Sequence, residues 1–379
     1  MYKFLDWIDN DKIDWENLSS NISDKSIYIL EKNLDKISWV NLSRNVNAIS
    51  ILKNNMNKIH WYYLSWNKNA IHILEKNIDK IDWCYLSLNI NASNLLKANL
   101  DKISWSNISL YPNRINILEN NLDKIDWYSL SFNINSVDIL KNNLDKVNWW
   151  MLSANINAID ILEKNLDKIV WSQLSSNINA IHILEKNLDK VDWWYLSSNI
   201  NAISILENNL DKVNWISLSV NVNGIHILKN NPDKINFDRL SKNLNGIDIL
   251  EKNLDKAQWW FLSRNENAIN ILEKYIEKID WYGLSGNKNA IHILEKNLDK
   301  VNWNSFSFNE NAINILKNNL DKVNWDNLSK NENIFELDYQ SLKKRMDLIR
   351  EELMMKVYHP LRFERYLNMG YDIADEQYI

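Results

Sequence analysis

The sequence predicts an all-α solenoid made of about fourteen two-helix repeats of 22 residues. Three observations lead to this fold class. Tryptophan recurs every 22 residues over most of the chain. Apolar residues within each interval follow the 3.6-residue period of a helix. Glycine and proline number only 5 and 3 in 379 residues, which disfavours a fold rich in tight turns.

We number the repeating unit from its tryptophan, as W-x-x-L-S-x-N-x-N-A-I-x-I-L-E-K-N-L-D-K-I-x. The first unit begins at Trp15 and the last at Trp325, and Phe237 takes the place of tryptophan once. The first unit is two residues longer than the others because "SDKS" at Ser23–Ser26 replaces a stretch that is two residues shorter. A fixed period of this length is typical of solenoids and other repeat arrays.

Two helices are predicted in each unit. Apolar residues at positions 10, 11, 13, 14 and 18 lie on one side of a helix. Asn at position 9 is expected to cap its start, and Asn at position 17 to end it in a left-handed conformation. A further helix is predicted to begin at position 19, where Asp is a good N-cap, and to continue past the next tryptophan.

Stacking between units must stabilise these helices, because isolated helices of about two turns are marginal in water. Ser at position 5 and Asn at position 7 recur along the chain, so we expect a structural hydrogen-bond ladder between units. The small residue at position 10 lets neighbouring backbones approach. Arg114 breaks that rule next to Tyr111 and Pro112, which marks this unit as irregular.

A leucine-rich-type solenoid is the alternative architecture, because its units also span 20–29 residues and use asparagine ladders. The repeat lacks the strand-forming L-x-L core, and helix formers dominate positions 10 to 16. For the α-solenoid we expect an open, extended particle. About fourteen units at a spacing of ~9 Å would give a length of ~120 Å.

Three segments follow from the repeat boundaries. Residues 1–14 contain a degenerate unit around Trp7 and are expected to form an N-terminal cap, and residues 15–333 form the solenoid. Residues 334–379 are expected to form a helical cap that covers the last unit. It would contain a helix at about Leu337–Tyr358 and a shorter one after Pro360. The apolar face of the longer helix comprises Leu342, Met346, Ile349, Leu353 and Val357.

Composition excludes several function classes. The net charge is -5, without a basic stripe, so we expect no nucleic-acid partner. The single cysteine, Cys84, excludes an internal disulfide framework and fits a reducing compartment. No secretion signal is recognisable and no apolar run reaches the ~18 residues of a membrane span, so we expect a protein that is neither secreted nor membrane-bound.

No catalytic or metal-binding constellation is apparent. The histidines His72, His182, His226 and His292 all occupy position 12, never in adjacent units, which is too far apart for a shared metal. Cys84 has no base beside it, and the few glycines cannot form a phosphate-binding loop. We therefore expect no enzyme and no cofactor.

Positions 2, 3 and 6 vary between units, and many carry aromatic residues. Because these positions recur on one helix, they would form a continuous strip of the residue types that are enriched at binding hot spots. The alternative is that the rings fill gaps between units. The predicted partner-binding residues are Tyr62, Tyr63, Trp66, Tyr85, Tyr128, Phe132, Trp150, Trp194, Tyr195, Trp260, Phe261 and Tyr282.

Position 8 also changes along the chain. It is apolar from Ile134 to Leu244 and acidic at Glu266, Glu310 and Glu332. The apolar residues are either a contact surface or simply part of the packing of the loop.

The iterated "LSxNxNAIxILEKNLDKIxW" resembles the short-repeat proteins of giant DNA viruses of amoebae, the mimivirus-like group. The tail "REELMMKVYHPLRFERYLNMGYDI", with its His-Pro-x-Arg core, resembles a C-terminal segment of many proteins of those viruses. The resemblance implies a scaffold in the host cytoplasm or virion that binds a host or viral protein. By analogy with viral ankyrin arrays, it also implies a substrate adaptor for a host ubiquitin ligase, although no F-box or BTB segment is recognisable. A structural protein of the virion or its assembly site is the other alternative.

Overall fold

A computed structural model of the chain describes residues 1–369 and confirms the all-α solenoid. Within those residues, fifteen helices begin at the tryptophan of a unit or at Phe237, and fourteen more begin near position 11. We call them A helices and B helices. Because every full unit contains two helices and no strand, the leucine-rich alternative is wrong.

The A helices are Trp15–Ser20, Trp39–Arg44, Trp61–Trp66, Trp83–Leu88, Trp105–Leu110, Trp127–Phe132, Trp149–Ala154, Trp171–Ser176, Trp193–Ser198, Trp215–Val220, Phe237–Leu240, Trp259–Leu262, Trp281–Ser285, Trp303–Phe308 and Trp325–Leu328. The B helices are Asp24–Glu31, Ile49–Asn54, Ile71–Leu74, Ser93–Lys97, Ile115–Leu118, Val137–Lys141, Ile159–Glu163, Ile181–Glu185, Ile203–Glu207, Ile225–Asn230, Ile247–Glu251, Ile269–Lys274, Ile291–Glu295 and Ile313–Lys317. Short 3-10 turns lie at Met56–Lys58, Ile78–Lys80, Pro112–Arg114, Pro232–Lys234, Ile276–Lys278 and Glu310–Ala312.

The A helix begins at position 1, not at position 19 as predicted. The residue at position 22 is the N-cap: Asp14, Ser38 and Asp82 accept hydrogen bonds from backbone N–H groups at the start of the next helix. Positions 19 to 21 form a turn instead. Asp at position 19 is a capping residue type, but only the side chain at position 22 lies next to the free N–H groups of the helix.

The two asparagines expected to delimit the B helix act differently. Asn47, at position 9, caps no helix and donates from Nδ2 to the carbonyl of Ile22 in the preceding unit, at 2.6 Å. Asn55, at position 17, has φ of −134°, which is not left-handed. Its Nδ2 donates to the carbonyl of Ile51, at 2.9 Å, so the side chain satisfies the end of the helix.

The predicted Ser and Asn ladder joins the units. Ser43 Oγ donates to the carbonyl of Trp39 at 2.7 Å and accepts from the N–H of His60 at 3.0 Å. Asn67 Nδ2 donates to the carbonyls of Ser43 and Asn45, at 3.2 and 3.0 Å. These side chains are buried, so each bond satisfies groups that are away from water.

The irregular unit replaces one rung of the ladder. Tyr111 stands where other units have Asn at position 7. Arg114, fully buried at position 10, donates instead to the carbonyl of Asn89 and to the hydroxyl of Ser93. Burial lowers the pKa of Arg114, and its Nε has no hydrogen-bond partner. The guanidinium thus compensates for the missing asparagine amide.

Two hydrogen bonds that join neighbouring units also join the last unit to the first. The N–H of Asp14 donates to Ser329 Oγ at 2.9 Å, and Asn17 Nδ2 donates to the carbonyl of Asp326 at 3.2 Å. Bonds between the same repeat positions connect consecutive units within the chain. The solenoid therefore closes into a ring.

The two ends of the solenoid build the fifteenth unit together. Residues 325–333 supply positions 1 to 9, and residues 11–14 supply positions 19 to 22. Lys12 Nζ lies 5.5 Å from the ring centroid of Trp325, as the position 20 lysines do over the tryptophans of their own units. In place of a B helix, strand β1 (Tyr2–Phe4) pairs antiparallel with strand β2 (Phe335–Leu337).

Closure corrects three expectations. The open stack of ~120 Å is wrong. Residues 1–14 complete the last unit rather than cap the first. The tail helices Tyr339–Val357 and Pro360–Asn368 form much as predicted, but Tyr339–Val357 contains no buried residue and does not cover the solenoid. The last unit needs no such cover because the first unit already buries it. The rest of the predicted cap, residues 370–379, lies outside the described residues.

The A helices form the inner layer of the ring. The A helices of successive units pack against one another, whereas the B helices of successive units make few contacts. In a closed ring of equal units, the elements that lie closer together are nearer the axis. Fifteen units at ~9 Å spacing give a circle of A-helix axes about 43 Å across and an opening of about 30 Å.

Candidate functional site: the inner wall of the ring

Positions 2, 3 and 6 of each A helix form the inner wall of the ring. Positions 4 and 5 are buried against the B layer and the neighbouring units, as Leu196 and Ser197 show. Trp193, at position 1, is half-buried, with Lys212 above its ring. The remaining positions, such as Trp194 and Tyr195, therefore face the opening.

Most of the predicted partner-binding residues are exposed on this wall. Three of the twelve, Tyr63, Tyr85 and Phe261, are half-buried, so the gap-filling alternative applies only to them. The other nine have exposed fractions between 37% and 54%. They are Tyr62, Trp66, Tyr128, Phe132, Trp150, Trp194, Tyr195, Trp260 and Tyr282.

One aromatic cluster spans the second to fourth units. The Arg44 guanidinium lies 5.3 Å from the ring centroid of Tyr63, and the rings of Tyr62 and Tyr63 meet edge to face at 4.9 Å. The Tyr62 hydroxyl donates to the Tyr85 hydroxyl. That hydrogen bond, aided by partial desolvation, raises the pKa of Tyr62 to about 12. The Tyr62 hydroxyl is therefore protonated at neutral pH and remains the donor of this bond.

A second cluster with the same arrangement spans the eleventh to thirteenth units. Lys242 Nζ lies 4.0 Å from the ring centroid of Phe261. As with Arg44 and Tyr63 in the first cluster, the cation is at position 6 and the ring is at position 3 of the next unit. The Arg264 guanidinium lies 3.8 Å from the ring of Trp260 and 5.3 Å from that of Tyr282. Cation–π contacts of this kind hold the rings in fixed orientations.

The predicted partner-binding residues are all aromatic and therefore omit the aliphatic part of the wall. Val40, Leu110, Ile216 and Val220 are exposed aliphatic residues at positions 2 and 6. Their repeat positions alone could have identified them. They extend the apolar surface between the aromatic residues.

The wall carries charges of both signs. Its basic residues are Arg44, Arg239, Lys242, Arg264 and Lys330, and its acidic residues are Glu16, Asp238 and Asp326. Five basic and three acidic groups leave a small positive excess, whereas the whole chain has a net charge of -5. The wall thus offers aromatic rings, aliphatic groups and a few charged groups of both signs.

The position 12 histidines lie on the outer layer, where they approach acidic residues. His182 Nε2 is 3.7 Å from Glu163 of the preceding unit, and His292 Nε2 is 2.7 Å from Glu273. Within residues 1–369, no three His, Cys, Asp or Glu residues are grouped so that they could hold a metal ion.

None of the helices described is both long enough and apolar enough to cross a membrane. Comparison of the chain with protein-family models, with curated proteins and with solved structures finds no match.

Proposed function

We propose that this protein is a non-catalytic scaffold that binds a protein partner on the inner wall of its ring. The observation that carries the proposal is the set of exposed Trp, Tyr and Phe side chains on seven of the fifteen A helices, all at the wall positions. Trp, Tyr and Arg are the residue types that are enriched at binding hot spots.

The rigidity of the wall supports the same proposal. Each A helix is fixed to its neighbour by the buried Ser and Asn ladder, and the cation–π contacts orient several rings. A wall ordered in advance loses little conformational entropy when a partner binds. An opening of about 30 Å admits an extended segment, a pair of helices or a small domain.

The source and the partner are also part of the proposal. The repeat and the His359-Pro360-x-Arg362 segment resemble proteins of giant amoebal viruses, which supports a host or viral protein partner in the host cytoplasm or virion. Because the wall is only slightly basic, we propose a protein rather than a nucleic acid as the partner.

Affinity purification of the tagged protein from infected amoebae, followed by mass spectrometry, tests the proposal. Replacement of Trp150, Trp194 and Trp260 by Ala removes three exposed anchors from the wall without emptying the core. We expect the partner to be lost. The matched control carries Ala at His182, Lys186 and Glu207, which are exposed on the outer layer, and should retain the partner.

The identity of the captured protein separates the alternatives. A ubiquitin-ligase subunit that depends on the wall tryptophans would specify an adaptor. Recovery of virion proteins alone, equally by wild type and by both variants, would overturn the proposal and favour a structural role in the particle.

A further inference from the structure

The loop between the A and B helices carries a row of apolar side chains along one edge of the ring. This loop contains position 8 and connects the inner layer to the outer layer. Eight consecutive units have an apolar residue there, and all but the half-buried Pro112 have exposed fractions between 36% and 52%. We call this row the apolar arc: Ile90, Pro112, Ile134, Ile156, Ile178, Ile200, Val222 and Leu244.

The backbone of the arc is held rigidly. The Nδ2 of Asn157 donates to the carbonyl of Ile134 at 2.9 Å, and the Nδ2 of Asn179 donates to the carbonyl of Ile156 at 3.0 Å. The same bond recurs along the rest of the arc. The ladder thus needs the carbonyl at position 8, but it does not need an apolar side chain. Packing of the loop buries only part of each side chain, and it leaves an exposed apolar surface along the arc.

Opposite charges flank the arc. Lys68 occupies position 8 in the unit before it, and Glu266 in the unit after it. Lys68 is exposed, and Glu266 lies 3.6 Å from Lys288 of the following unit, where both remain accessible to solvent.

We infer that the apolar arc is the interface with a second copy of this chain. A twofold axis that passes between Ile156 and Ile178 pairs each apolar residue with an apolar residue of the other copy. The same axis places Lys68 of each copy opposite Glu266 of the other, so this contact occurs twice. Such self-complementarity is what an isologous dimer interface requires.

The size of the surface fits this partner. Eight side chains that each expose on the order of 70 Å² would bury about 1,100 Å² over both copies, near the lower end for a specific interface. On a monomer the arc would be an apolar patch at the upper end of the usual range, about 300–600 Å².

The arc limits how the two rings meet. On the far side of the ring, the same axis places Glu332 of one copy opposite Glu332 of the other. Glu310 occupies position 8 of the neighbouring unit. These acidic groups repel each other, so the rings contact along the arc and diverge near the seam. The interface lies at the edge of the ring and leaves the inner wall accessible, so it is independent of the proposed function.

Sedimentation equilibrium of the purified full chain tests the inference. We expect wild type to be a dimer at micromolar concentration. Ile178→Asp puts two carboxylates beside the twofold axis and should weaken the dimer at least ~100-fold, because buried unpaired charges are strongly unfavourable. The matched control is Ile22→Asp, which changes an exposed position 8 residue outside the arc and should leave the dimer intact. A monomeric wild type, or a dimer that tolerates Ile178→Asp, would overturn the inference.

A charge exchange tests the pairing itself. Lys68→Glu places Glu opposite Glu266 of the second copy and should weaken the dimer by about 10-fold. Combining Lys68→Glu with Glu266→Lys and Lys288→Glu reverses every charge while preserving the ion pair within the chain. This triple variant should recover wild-type association. If it associates no better than Lys68→Glu alone, the proposed twofold pairing is wrong.

Discussion

The seam of the ring and the internal unit boundaries share the same ladder but differ in what surrounds it. At an internal boundary, Asn177 donates to the carbonyls of Ser153 and Asn155, at 3.2 and 3.1 Å. At the seam, Nδ2 of the equivalent Asn21 donates to the carbonyl of Lys330 at 3.4 Å, which is longer than any internal bond from an asparagine at position 7. The ladder is thus weaker where the first unit meets the last.

The covalent break at the seam lies inside the fifteenth unit, between residues 325–337 and residues 1–14. A pair of three-residue strands replaces the B helix, and Phe4 stacks on Phe335 with ring centroids 5.4 Å apart. Noncovalent contacts alone must offset the entropy of bringing the ends together. The comparison teaches that a repeat array can bury both terminal units against each other, and that the seam is then the boundary that opens first.

The largest expected effect is loss of the aromatic stack at the seam. Phe335 is 5% exposed, so Phe335→Ala should lower the free energy of unfolding by about 3 kcal/mol. Hydrogen exchange should accelerate in the first and fifteenth units before the rest. Phe308→Ala is the control, because Phe308 is 55% exposed on the inner wall and should change stability little. Equal destabilisation by both variants would contradict the closed seam.

An intermediate effect is expected from the serine ladder. Ser153→Ala leaves the backbone N–H of Val170 without its acceptor. Ser329→Ala does the same to the N–H of Asp14 at the seam. The cost of each is about 1–3 kcal/mol. Only Ser329→Ala should open the ring, because the chain still connects the units on either side of Ser153. The radius of gyration from small-angle scattering should therefore increase in Ser329→Ala alone.

The smallest effect is expected from the ionic contact at the strands. Hydrogen bonds with Asp6 and with Glu336, the latter at 3.0 Å, raise the pKa of Lys3 above its ordinary value. Because the pKa is raised on folding, this contribution is fully present below the unfolded pKa of about 10.4 and is lost as pH rises through the folded pKa. Wild type should melt slightly higher than Lys3→Met at neutral pH, and this difference should disappear in strong alkali. A difference that persists there would contradict the ionic origin.

The sequence predicted the elements of the ring better than their boundaries. The period and the apolar spacing predicted two helices per unit, and repetition of Ser and Asn predicted the ladder. The start of the A helix was misplaced because positions 19 and 22 both carry capping residues, and pattern alone does not show which one meets free N–H groups. The wall positions were predicted from their variability, but their exposure depends on which sides of the A helix the B layer and neighbouring units cover.

Closure could not be predicted from the repeat pattern, because it depends on a small rotation between units that accumulates over the whole array. One signal was nevertheless present. Asp11–Asp14 matches positions 19 to 22, and Trp325–Asn333 matches positions 1 to 9, so the two incomplete ends complement each other. Complementary partial units at the two ends of an array indicate a ring.

The distance between the first and last units tests closure most directly. Spin labels at Ser20 and Lys330, in a Cys84→Ser background, would mark position 6 of those units, where both side chains are exposed. The ring predicts a distance within about 25 Å, because adjacent helices lie ~9 Å apart and each label adds its own length. A distance above about 60 Å, as an open stack of units would give, would contradict the closed ring.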